Sequence, residues 1–134
     1  MISVDTNVVV RLLTGDDPAQ TAAAADLFKS NRIGISKTVI LETEWVLRKG
    51  YGFDSTAIHN GFIRLMSLRS VDFEDPESVA LAMDLMLKGV DFADALHLVS
   101  RPAGAQFVTF DRTFVRRAKR AGVSRISEPP AHSR

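Results

Sequence analysis

The sequence predicts an α/β fold: a short, largely parallel central sheet flanked by helices in three layers. Apolar runs of strand length alternate with one or two segments of helical periodicity, and the helical segments open at Asp or Pro residues suited to a first turn. Strands separated by helices pair in parallel, and the crossovers cover both faces of the sheet. At 134 residues the chain is the size of one domain and can bury one sizeable core.

In order, residues 1–4 read as a short buried strand and Asp5-Thr6-Asn7 as the turn that launches a helix through Val8-Val9-Val10 and Leu12-Leu13. Thr14-Gly15-Asp16-Asp17-Pro18 is a turn, and 19–30 an alanine-rich helix in which Ala24, Leu27 and Phe28 share a face. Residues 33–36 form a second strand. Residues 37–49 return to helical spacing, with Val39, Ile40, Val46 and Leu47 on the apolar side and Gly50 as the stop. Asp54-Ser55 opens a helix to Met66 that carries Ile58, Phe62, Leu65 and Met66, and residues 71–73 form a third strand. Asp75-Pro76-Glu77 starts the next helix, with Val79, Leu81, Ala82, Leu85 and Met86, ending near Gly89. A helix over 91–98, a strand over 106–110, a basic helix over 112–121 and an edge strand over 123–126 complete a single domain, 1–126, with 127–134 as a loose tail.

Composition narrows the class. Hydrophobic residues are 46% and charged residues 25%, as in an ordinary globular protein. With no cysteine, disulfides and thiolate zinc sites are excluded. The apolar runs are too short to span a bilayer and Asp5 interrupts any secretory leader, so the expectation is a cytoplasmic protein without membrane contact. The net charge of +1 hides an asymmetry: residues 112–134 hold seven Lys/Arg against one acid, and residues 1–111 hold ten against fifteen. An acidic body with a basic end pairs a cation-holding pocket with a rim for a polyanion, or else marks a solvated helix face.

Four carboxylates stand out. Asp5 and Asp111 each follow an apolar strand and precede a helix start, which puts both at the ligand-binding edge of a parallel sheet. Each is equally a candidate helix cap. Glu42 sits in the apolar segment Thr38-Val39-Ile40-Leu41 and is either a site residue or a carboxylate on the helix rim; Glu44, two positions on, points elsewhere and is the better candidate for solvent. Asp91 and Asp94 share a helical face, with Asp91 suited to the cap and Asp94, at the third helical position, facing inward. His97 is a ligand or base, or else packs and donates a hydrogen bond. Clustered carboxylates raise one another's pKa unless a cation neutralises them, and oxygen ligands without Cys or paired His suit Mg²⁺ or Mn²⁺. Such an ion activates water and offsets phosphoryl charge, the chemistry of phosphodiester cleavage.

Val4-Asp5-Thr6-Asn7, Leu41-Glu42-Thr43-Glu44-Trp45-Val46-Leu47, Asp91-Phe92-Ala93-Asp94-Ala95-Leu96-His97 and Val108-Thr109-Phe110-Asp111 resemble, in this order and at these separations, the signature of PIN-domain ribonucleases. The bacterial VapC toxins of toxin–antitoxin pairs are the nearest type, and the resemblance runs from residue 1 to about residue 123. It implies a PIN-like fold and an acidic site of Asp5, Glu42, Asp94 and Asp111, with Asp5, Asp94 and Asp111 as metal ligands and Glu42 as a candidate base. Asn7 and Thr109 are the implied supporting groups, and Asp91 either joins the outer shell or caps its helix. The implied activity is Mg²⁺- or Mn²⁺-dependent endonucleolytic hydrolysis of RNA that leaves a 5′-phosphate. The implied partners are an RNA substrate, a VapB-like antitoxin and a second copy of the chain, with helices 37–49 and 54–66 supplying partner surfaces or ordinary core. Arg112, Arg116, Arg117, Lys119 and Arg120 then become a rim for the RNA backbone. No basic patch interleaved with aromatics suggests base readout.

Two other readings share some of these residues. A haloacid-dehalogenase-like phosphatase also begins with an Asp after the first strand, but needs a second Asp two positions on, where this chain has Asn7. A PIN-like binding module without turnover is the non-enzymatic alternative, against which stands the presence of all four acids.

Overall fold

The computed structural model describes residues 1–131, and the chain forms two compact units, Met1–Pro76 and a second from Glu77 onward. In the first, β1 (Ile2–Ser3), α1 (Thr6–Thr14), α2 (Pro18–Ser30), β2 (Ile33–Ile35), α3 (Lys37–Trp45), α4 (Ser55–Met66) and β3 (Val71–Phe73) follow in order. The second holds α5 (Pro76–Leu87), α6 (Phe92–Val99), β4 (Phe107–Val108), α7 (Arg112–Arg120) and β5 (Ile126–Ser127). All strand pairs are parallel, as the alternation of strand and helix requires: β1-β2-β3 in the first unit and β4-β5 in the second. This is the α/β class expected, short parallel strands alternating with helices.

Asp residues begin most of the helices by the same local device. The side chains of Asp5, Asp17, Asp54, Asp91 and Asp111 each accept a backbone N–H of the helix that follows, at 2.8–3.1 Å. Each satisfies a donor that the helix itself leaves without a partner. Gly15 ends α1 in the left-handed region, φ 66°, where its N–H reaches the Arg11 carbonyl; a side chain there would be strained.

In the first unit β2 alternates, with Ile33 and Ile35 buried on either side of Gly34, and α4 buries Ile58, Phe62 and Leu65 at helical spacing. In the second, Val79, Ala82, Met83 and Met86 of α5, Phe92, Ala95 and Leu98 of α6, and Phe114 and Ala118 of α7 are buried. Phe107 of β4 meets Phe114 of α7 edge to face, ring centres 5.7 Å apart.

Several expectations are corrected. The first strand is shorter and less buried than expected: pairing covers Ile2–Ser3, Met1 is 79% exposed, and β1 has a partner on one side only in its sheet. The helix expected over 37–49 is regular to Trp45 and continues as a wider π turn over Val46–Gly50, which the Phe53 N–H closes onto the Leu47 carbonyl at 3.0 Å. Leu81, assigned to an apolar face, is exposed. The strand expected over 106–110 pairs only at Phe107–Val108, because β5 is equally short. The last strand lies at Ile126–Ser127, after Arg125 turns the chain at φ 59°, so Ser127 belongs to β5 and not to the tail. Beyond it Glu128 pairs with Arg112 at 3.1 Å, and residues 132–134 of the expected tail lie outside the described residues.

Candidate active site

In the first unit, Asp5 follows β1 and caps α1, its Oδ1 accepting the Thr6 N–H at 2.8 Å. The cap engages one oxygen among the described hydrogen bonds, so capping and ligand roles are compatible on one side chain. Asn7, in the first turn of α1, lines a shallow groove with Arg11 of the same helix and Gln20 and Leu27 of α2, and no described hydrogen bond joins it to Asp5. Glu42 is exposed on α3, which packs against α1.

Glu44 overturns the expectation that it faces solvent. It is 5% exposed, and its Oε2 accepts the Arg48 Nε–H at 2.7 Å. Arg48 also donates through Nη2 to Ser55 Oγ at the start of α4, 3.0 Å away. The buried face of this helix is Ile40, Thr43, Glu44 and Leu47. Those positions follow the i, i+3, i+4, i+7 pattern, so the stripe passes through position 44 and leaves 42 outside. That arithmetic, with Arg at i+4 to neutralise the acid, was the signal available in the sequence.

In the second unit, Asp91 caps α6 through the Asp94 N–H, 3.0 Å, which is the division of roles expected for this pair. Asp94 is half-buried. Its carboxyl is pushed above the usual range by burial first, then by repulsion from Asp91 and from Asp111, against a smaller opposing pull from His97. Asp94, Asp91 and Asp111 therefore share one electrostatic environment, built by two helix N-termini. Asp111 caps α7 through the Phe114 N–H, 3.0 Å, and its own N–H donates to Thr109 Oγ1, 3.1 Å. Thr109 is in turn tied to β5, its N–H reaching the Ser127 carbonyl at 3.0 Å. Thr109 thus fixes the backbone that carries Asp111. His97 is exposed, correcting the expectation that it packs, and acts on Asp94 as a nearby charge.

Arg112, Arg116, Arg117, Lys119 and Arg120 are all exposed on α7, while Phe114 and Ala118 hold the helix to its unit. The helix is strongly two-faced, as a cationic rim requires.

Among the described residues no group of three or more His, Asp or Glu side chains converges closely enough to hold a metal ion unaided. The donors are all oxygens, and the repulsion at Asp94 is what a divalent cation relieves, so the chemistry of the set fits a hard ion.

No helix among the described residues is long and apolar enough to cross a membrane. Comparison with curated proteins and with solved structures found no match. The family model described as PIN domain matches residues 2–120, which takes in Asp5, Glu42, Asp91, Asp94 and Asp111. The chain therefore belongs to the PIN domain family, a superfamily of nucleases that generally depend on divalent metal ions.

Proposed function

We propose that this protein is a Mg²⁺- or Mn²⁺-dependent endoribonuclease, the VapC-like toxin of a toxin–antitoxin pair, cytoplasmic and with residues 1–126 acting as one functional domain. The observation that carries the reading is Asp94, a half-buried carboxyl raised by its burial and then by two neighbouring acids. Such an arrangement costs the empty fold stability and makes sense where a cation is to be held. We assign the metal-holding role to Asp5, Asp94 and Asp111. Glu42, exposed and unburdened by the core, is the residue assigned to accept a proton from the attacking water. Asn7, Asp91 and Thr109 are supporting groups, of which Thr109 has the clearest work in holding the Asp111 backbone. When bound, the ion supplies a water of lowered pKa and offsets charge on the phosphoryl oxygen.

Arg112, Arg116, Arg117, Lys119 and Arg120 supply the sequence-independent attraction for the RNA backbone. An antitoxin of the VapB type and a second copy of the chain are the protein partners in this reading. Ile40 of α3, Leu47 of the π turn that follows it, and Ile58, Phe62 and Leu65 of α4 are spent in the protein's own core. Trp45 and Ile63 remain exposed on those two helices for a partner.

The test is metal-dependent cleavage of RNA by the parent and by Asp5→Asn and Asp94→Asn. Loss of cleavage in both, with unaltered circular dichroism and antitoxin binding, supports the assignment. Cleavage at the parental rate in both variants refutes it, and a parent that binds RNA without turnover makes the protein a binding module.

A further inference from the structure

Phe110 is the most exposed large hydrophobic residue among those described, at 85%. A phenylalanine ring left in water at this level is unusual for a position between a strand and a helix. The backbone on either side is held: Thr109 N–H bonds to Ser127 O of β5, and the Asp111 N–H returns to Thr109 Oγ1. Asp111 then caps α7. The ring is therefore presented from a fixed stem, in contrast to Phe107 and Phe114, which pack on each other. Immediately after it come the exposed cations of α7, Arg112, Arg116 and Arg117.

An exposed aromatic on a rigid stem beside a cationic helix is the combination that binds single-stranded nucleic acid: the cations track phosphates and the ring stacks on a base. We propose that Phe110 is a stacking platform for an unpaired RNA base next to the phosphate handled at Asp111, so that the enzyme selects single-stranded over duplex RNA. This rests on the endoribonuclease reading above. Phe114, the aromatic within the basic helix itself, is buried, so Phe110 is the aromatic exposed beside its cations. Val108 is the one other large apolar side chain exposed beside the ring in sequence, whereas Arg112, Arg116 and Arg117 are exposed within seven residues of it, so the surface offered is a single aromatic next to cations rather than a broad apolar patch, which favours a nucleobase over an apolar protein surface. Stacking is indifferent to base identity, so the selectivity is for strandedness.

The experiment measures fluorescence anisotropy of a labelled single-stranded oligoribonucleotide and of its duplex, in EDTA so that neither is cut, with the parent, Phe110→Ala and Phe110→Trp. The expected result is a loss of single-strand affinity of about 5- to 100-fold in Phe110→Ala. Duplex affinity stays unchanged and Phe110→Trp returns to the parental value or better. Equal single-strand affinity in parent and Phe110→Ala overturns the proposal, as does a parent with no single-strand affinity. So does unchanged RNA binding accompanied by a shift from dimer to monomer, which would give the ring to a second copy of the chain. Parental cleavage with Mg²⁺ by Phe110→Ala, at an unaltered kcat/KM, sinks the stacking role while leaving the nuclease reading standing. Affinity changes as described, without cleavage by the parent, do the reverse.

Discussion

Replacing Glu44 by Ala, with Glu42→Ala as its partner experiment, separates stability from chemistry on a single helix. Glu44 is buried and holds Arg48 at 2.7 Å, and Arg48 carries the link on to Ser55 of α4. Removing one member of a fully buried ion pair costs about 3–5 kcal/mol, because the other charge loses its partner. Arg48 keeps 32% of its side chain in water, so part of that cost is recovered by hydration and the expected loss is nearer 2–3 kcal/mol. For a chain of this length, each kcal/mol moves Tm by about 3–4 °C, giving a melting point roughly 6–12 °C lower. The urea midpoint should fall with the m-value unchanged. Glu44→Gln keeps a neutral hydrogen bond and should fall between parent and Ala. Glu42→Ala, at an exposed position, should stay within about 0.5 kcal/mol of the parent. Its RNA cleavage should drop by about 100-fold or more if it accepts the proton, whereas Glu44→Ala should keep most of its activity well below its melting point. The reasoning fails if Glu44→Ala melts within 1 °C or so of the parent, or if Glu42→Ala is the less stable of the two.

Asp94→Asn should melt about 1–2 °C higher than the parent in EDTA at neutral pH, since the neutral amide escapes burial and repulsion that solvent only partly screens. Because the folded carboxyl titrates above its ordinary range, its stabilising contribution is complete below that range and is lost as pH rises through the folded pKa. The advantage of Asn should therefore grow from acid toward neutral pH, and a constant difference would refute the assignment of cause. Mg²⁺ should raise the melting point of the parent and leave that of Asp94→Asn nearly unmoved, as read by differential scanning fluorimetry. Asp54→Ala removes the cap of α4 and should cost about 1 kcal/mol by urea unfolding without changing cleavage. Arg116→Ala with Arg117→Ala should reduce the slope of log affinity against log salt for single-stranded RNA by about 1.4, and an unchanged slope would remove both from the interface.

What the sequence determined by itself was local. Asp5, Asp54, Asp91 and Asp111 are legible as helix starts because a cap is settled within three residues of chain, and β2 and β3 are legible because their apolar runs are bounded by turns. Asp5, Asp94 and Asp111 were found the same way, from strand ends and helix starts, and Glu42 from its place in an apolar helical segment. The stripe through Ile40, Thr43, Glu44 and Leu47 was legible in the spacing, and tertiary structure decided how its acid is accommodated, through Arg48, which also reaches Ser55 of α4. It also decided how long the strands are, since β4 extends only as far as β5 pairs with it. Phe110, at the end of the strand expected over 106–110, lies beyond that short pairing and in water. The repulsion gathered at Asp94 is likewise tertiary, because Asp91 shares its helix but Asp111 comes from a distant start, that of α7. Caps follow from sequence neighbours, whereas burial and electrostatic crowding follow from which elements meet.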